Sequence, residues 1–174
     1  MDVLAHMLWT NYGARLGNRE LKKKRKPLMS LAWATFWGVF PDLFAFGIPI
    51  TLAIFAWAGN GFHKISYSYM DALPHELYNY SHSLVIWAVV FAIVWIACKR
   101  PRFALLGWAL HILIDMPSHA GNFYLTPVFF PVSNWHFTHG VPWSNIWYMI
   151  INYSLLLIAS LYFFSTYAKK KDTQ

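Results

Sequence analysis

Five ionisable residues interrupt otherwise apolar stretches of this chain: His6, Asp42, His82, His111 and Asp115. An ionisable group in a membrane segment is costly, so each invites a functional explanation. Their distances from the nearest Lys/Arg cluster are nearly constant. His6 to Lys22 is 16 residues, Lys26 to Asp42 is 16, His82 to Lys99 is 17 and Arg102 to Asp115 is 13. At about 1.5 Å per helical residue these positions lie roughly 20–25 Å from the basic ends, with His111 nearer ~14 Å. If residues 1–17 and 28–40 pair as a hairpin, all five fall in one layer near the outer side of a bilayer. Independent apolar helices have no reason to align their rare polar residues, so one shared site is the economical reading.

The chemistry follows from the donor types. His111 and Asp115 are four apart, share a helix face and can converge on one ion. Imidazole nitrogen with carboxylate oxygen suits Zn²⁺, and also Mn²⁺ or Fe²⁺. Catalytic zinc keeps a position open for water and lowers its pKa towards neutrality. Plainer readings stand beside this one. A membrane histidine can simply hydrogen-bond a neighbouring helix, Asp42 after Pro41 can cap the next helix, and His82 can cap the helix that follows it. His119 continues the four-residue series, but Pro117 is expected to end the helix first and leaves its direction open. His136 and His139 in NWHFTHG fit either ligands of a second ion or an interfacial loop, and His75 with Glu76 reads as loop.

The elements that must position these residues are membrane helices. Of the 174 residues 57% are hydrophobic and only 12% charged, with ten Trp, which excludes a soluble globule and a disordered chain. A single cysteine, Cys98, excludes a disulfide scaffold. The +7 charge is not a nucleic-acid footprint. Thirteen of the 14 Lys and Arg fall in three clusters, at 15–26, 99–102 and 169–171, as cytoplasmic flanks of apolar spans do. The expected partner is the lipid bilayer, whose anionic headgroups suit such clusters. At the start of the chain Asp2 comes first and the basic cluster follows the apolar stretch, the reverse of a secretory signal, so retention by the protein's own spans is expected.

The chain therefore reads as one all-α, polytopic membrane domain, residues 1–174, with about four to five membrane-embedded helices. Residues 1–17 are apolar but short. Residues 28–40 end at the Pro41-Asp42 step, and 43–58 either continue them as one long kinked span or form a re-entrant or interfacial segment. The Tyr-rich stretch 59–81 reads as polar and outside. Residues 83–98 form a span, 103–116 a helix that should stop before Pro117, 119–143 an interfacial loop and 144–168 the longest span.

At this point the motifs resemble a known family. An early His6, a G-x-x-P-D step at Gly38 to Asp42, an S-H-S-L block at Ser81 to Leu84 and the segment HILIDMPSHAGNF from His111 to Phe123 are similar to bacterial inner-membrane metal-dependent hydrolases. Some of these are described as LexA-regulated, and they look related to zinc-dependent phospholipase C. The likeness is spread over about residues 1–130. It implies metal ligation by His6, Asp42, His82, His111 and Asp115, with Asp115 bridging two ions, Asp42 as a general base and His119 serving another zinc. Two departures stand out: Leu43 and Phe44 follow Asp42 where the family often has a second aspartate, and Leu77, Tyr78 and Asn79 replace a His-Arg pair.

The expectation is a hydrolase in the bacterial inner membrane, with one or two zinc ions and Asp42 and Asp115 in catalytic roles. Its substrate would be a phosphoester bond in a lipid or lipid-linked molecule. The alternative is a non-catalytic metal- or haem-binding membrane protein, though aspartates disfavour haem, whose axial ligands are usually His or Met. A third reading has these groups merely holding helices together.

Overall fold

A computed structural model of the chain describes residues 1–60, 67–120 and 124–171, with side chains at 1–55, 72–120 and 124–166. Helix α1 runs Val3–Lys23, its first turn capped by Asp2, whose carboxylate accepts from the Ala5 N–H at 3.0 Å. Helix α2, Leu31–Asp42, is capped by Ser30 and packs antiparallel on α1 as the expected hairpin. Two residues permit that packing. A Cβ at Gly38 would run into the Thr10 side chain, and one at Gly107 would run into the Ala34 carbonyl oxygen, so α1, α2 and α6 meet at the glycines.

The Pro41-Asp42 step does not end the helix. Leu43–Gly47 form one wide π turn and α3, Ile48–Asn60, carries straight on. Proline removes one N–H and crowds the carbonyl four residues back, and a widened turn just after it absorbs both faults. The apolar helix Leu31–Phe55 is therefore 25 residues long, and the long-span reading of 43–58 replaces the re-entrant one.

Part of the stretch expected to be polar and outside is helical as well. Helix α4 spans Tyr67–Ser81, so His75 is a helix residue and not a loop residue; residues 61–66 lie outside the described set. Helix α5, Leu84–Cys98, follows at a bend of 57° and is capped by Ser83, whose hydroxyl accepts from Val85 and Ile86. That cap belongs to Ser83, so the capping reading of His82 is wrong. A short 3₁₀ turn, Phe103–Leu105, leads into α6, Leu106–Ser118. Here too proline does not stop the helix. Pro117 sits in the final turn, where one bond is lost, and the His119 N–H still reaches the Asp115 carbonyl at 3.0 Å. Residues 124–145 carry no helix, as expected of the interfacial loop, and α7 covers Ile146–Lys171.

The fold is all-helical, with no strand among the described residues. Two helices, Leu31–Phe55 and Ile146–Thr166, are long and apolar enough to cross a membrane. The bent pair Ala72–Ser81 and Leu84–Cys98 makes a third if it counts as one span. Much of the apolar surface faces outward, as lipid contact requires: Trp147 and Phe164 on α7 are 70% and 74% exposed.

One core packs Leu105, Trp108, Ile112 and Val128 against Trp37 and Phe40, and the Trp108 indole donates to the Ser81 carbonyl at 2.6 Å. A second core joins Ala5 and Leu156, with the Trp9 indole donating to Asn152 at 2.8 Å. Gly107→Ala is expected to force α6 off α2, costing about 1–3 kcal/mol as an overpacked core does. Gly47→Ala, whose Cβ meets nothing within 4 Å, should cost nothing. Thermal unfolding of the two variants in detergent checks the contrast.

Candidate metal centre

Each helix brings its polar residue to the same place. Asp42 comes from the last turn of α2 just before the π turn, His82 from the α4–α5 bend, and His111 and Asp115 from successive turns of α6. His6 arrives from the first turns of α1 and His119 from the end of α6. The structure brings all six residues together. Their depth differs between helices. Asp42 lies 11 residues from Leu31 and 13 from Phe55, near the middle of the long helix, and His111 is mid-way along α6, whereas His6, His82, Asp115 and His119 sit at or near helix ends.

Four groups form a cage. Asp42, His82, His111 and Asp115 offer ligand atoms that all lie within 4.8 Å of one another, an arrangement that can hold a metal ion. His82 Nε2 and His111 Nε2 are 3.0 Å apart. They stand 3.4 and 3.1 Å from Asp115 Oδ2, and 3.6 and 3.7 Å from Asp42 Oδ1. A tetrahedral ion with bonds of about 2.0–2.1 Å has ligand–ligand edges of roughly 3.3–3.4 Å. Five of the six edges cluster around that length. The side chains of His82, His111 and Asp115 have no exposure, and Asp42, at 13%, is the open corner. Asp42 caps nothing, so the capping reading of that residue is wrong.

Hydrogen bonds behind the histidines decide their tautomers. His111 Nδ1 lies 2.8 Å from the Gly38 carbonyl, His82 Nδ1 3.3 Å from the Tyr78 carbonyl and His119 Nδ1 2.8 Å from the Tyr124 carbonyl. A carbonyl only accepts, so Nδ1 of His111 and of His119 carries the hydrogen, while His82 Nδ1 also has the Ser81 hydroxyl at 2.9 Å, which can donate or accept. When His111 and His119 are neutral, their Nε2 atoms turn bare lone pairs inwards. At 3.0 Å, His82 and His111 leave room for at most one hydrogen between them. Such oriented imidazoles, backed by carbonyls, are what metal ligands require.

Asp115 lies at the centre, its two oxygens facing different partners. Oδ2 faces His82 and His111, while Oδ1 is 3.0 Å from His6 Nε2, 3.6 Å from His119 Nε2 and 2.6 Å from the Met1 nitrogen. His6 Nε2 and Asp115 Oδ2 are fully buried, yet neither makes an aligned hydrogen bond despite neighbours near 3 Å. Donors and acceptors that close but misaligned fit ligands of a common ion better than hydrogen-bonding partners. His6 also stacks on His111 at 3.7 Å.

Several contributors escaped the sequence reading. Tyr78, singled out there only as a departure from a motif, stacks on His82 at 3.7 Å and places its hydroxyl 2.8 Å from His119 Nδ1. It lies four residues before His82, and that spacing was the available signal. The Met1 nitrogen, 3.0 Å from His119 Nε2, had no signal at all. His75 stacks on Tyr124 at 4.2 Å instead of entering the cage. His136 and His139 are absent from the cage, and Gly121 to Phe123 of the phospholipase-like segment lie outside the described residues.

No family model, curated protein or solved structure matches the chain, so its own residues carry the functional reading.

After chelation, added zinc should raise the thermal midpoint of the wild type, since ligand at about 100 times Kd is worth ~2.7 kcal/mol. Asp115→Asn keeps the shape, removes the charge facing both donor sets and should abolish most of that rise. Differential scanning fluorimetry with and without zinc reads the difference.

Proposed function

We propose that this chain is a membrane-embedded, metal-dependent hydrolase acting on phosphoester bonds of lipid or lipid-linked substrates. One observation carries the reading: a fully buried aspartate divides its oxygens between two sets of imidazoles whose Nε2 atoms converge on it. Donors of this kind fit a divalent ion held by Asp42, His82, His111 and Asp115, and zinc suits them best. The resemblance to phospholipase C-like hydrolases implies that His6 and His119 would hold a second ion, with Asp115 shared between the two. When bound, a divalent ion supplies Lewis acidity that makes water nucleophilic near neutral pH.

The chain's own residues supply the rest. Asp42 is the one partly exposed member of the cage, which supports it as the base that would take the proton of the attacking water. Asp115 holds the imidazoles in register. The carbonyls of Gly38, Tyr78 and Tyr124 keep the Nε2 atoms turned inwards.

Two features support a lipid substrate. A small cleft of about 200 Å³ opens beside His119, bordered by Ser118, Pro142 and Trp143. An apolar groove of about 630 Å³ starts at Met1, Pro117 and Tyr148 next to the cage and runs down to Leu16 and Phe163, a path suited to an acyl chain. In this reading α1 and α6 are membrane-embedded too, giving the four to five embedded helices, and the membrane is the bacterial inner one.

Purified protein in zinc-containing nanodiscs should release phosphorylated headgroups from phospholipid. Asp42→Asn should lower that rate by about 10²-fold or more, as loss of a general base does. Headgroup release measured by mass spectrometry decides it, and a variant rate equal to the wild type would remove Asp42 from the chemistry.

A further inference from the structure

At the opposite end of α2 and α6 from the metal centre lies a second cavity. It is a cleft of about 690 Å³ between the α1–α2 and α5–α6 connections. Its rim carries Lys26, Arg100 and Arg102, and its wall carries Trp33, Trp37 and Val94. No aspartate or glutamate lines it. Among the described residues the one ion pair made by a Lys or Arg is Lys23–Glu20, so the three rim cations have no anionic partner.

The frame beneath these cations is fixed. Asn18 donates to the Met29 carbonyl at 2.9 Å and accepts from the Met29 N–H at 2.8 Å, clamping the first connection to α1. Lys26 N–H reaches the Leu21 carbonyl at 2.9 Å. In the second connection Lys99 takes the left-handed conformation that closes α5, and the Leu105 N–H returns to the Arg102 carbonyl at 3.0 Å. The Trp87 indole donates to the Leu105 carbonyl at 2.9 Å, tying α5 to the floor.

We infer that this cleft is a binding site for an anionic phospholipid of the leaflet opposite the metal centre. Its phosphate would sit among Lys26, Arg100 and Arg102 and its acyl chain against Trp33, Trp37 and Val94. Guanidinium groups favour phosphate because their planar forks match its oxygens. Basic pockets between membrane helices on the positive side recognise such headgroups. The apolar wall selects the lipid over a free ion. Inorganic phosphate has nothing to place on two tryptophans and a valine, and it fills only a fraction of the volume. The site is independent of the hydrolase reading, because it shares no residue with the cage.

Native mass spectrometry of protein released from nanodiscs of phosphatidylcholine mixed with phosphatidylglycerol tests it. The wild type should retain phosphatidylglycerol preferentially. The triple variant Lys26→Gln, Arg100→Gln, Arg102→Gln should lose about tenfold or more of that preference. Lys22→Gln, Lys24→Gln, Arg25→Gln removes equal charge outside the cleft and should keep most of it. If the first triple variant does not fold, single Arg100→Gln, in an exposed turn, should show a partial loss. Equal loss in both triple variants would mean a diffuse surface potential and overturn the site. So would a wild type without preference, an Arg100→Gln protein with full preference, or displacement of the lipid by excess inorganic phosphate.

Discussion

The buried carboxylate of Asp115 is the constraint around which the molecule is arranged. An aspartate with no exposed side-chain surface, between apolar helices, pays a large desolvation penalty unless positive charge or strong donors surround it. Here the Met1 nitrogen stands 2.6 Å from one oxygen with His6 and His119 beside it, and a cation held jointly with His82 and His111 would supply the charge on the other. Removing one partner would leave the charge short of compensation. That is why four separate parts of the chain must end, bend or widen at this level.

Those backbone events have local causes. Pro41 and the π turn after it let the long helix continue while Asp42 faces the cage. Ser83 caps α5 so that His82, one residue earlier, is free of helix duty. The glycines at 38 and 107 bring α1, α2 and α6 close enough for imidazoles on different helices to stack and oppose each other. Close approach of backbones through small residues is the usual means of packing helices where lipid removes the hydrophobic drive. The aromatic layer of Trp37, Phe40 and Trp108 then separates the cage from the basic cleft at the other end of the same helices.

Much of this was legible in the residues. The five ionisable groups within apolar stretches, their convergence on one place and the 1–40 hairpin follow from spacing to the basic clusters, because helical rise is constant. What stayed hidden involves places where one residue type has two structural meanings. Pro41 and Pro117 read as helix stops, yet each is accommodated, by a widened turn in one case and a final turn in the other. That left open the direction of His119 and whether residues 31–55 continue as one helix. Helix α4 was hidden by its polar, Tyr-rich composition and by Pro74 inside it. The Tyr124 carbonyl behind His119 lies in irregular chain, where periodicity says nothing. Depth was overgeneralised too: counting from one end gives the distance to that end only, and Asp42 turns out to be near mid-helix.

The central claim is that the converging imidazoles and carboxylates hold metal. Elemental mass spectrometry of detergent-purified protein, wild type beside His111→Ala, tests it most directly. One or two zinc or manganese ions per chain, lost in the variant, is the predicted result. Absence of stoichiometric metal, even after reconstitution with zinc, would contradict it and leave these groups as the polar glue of a helical bundle.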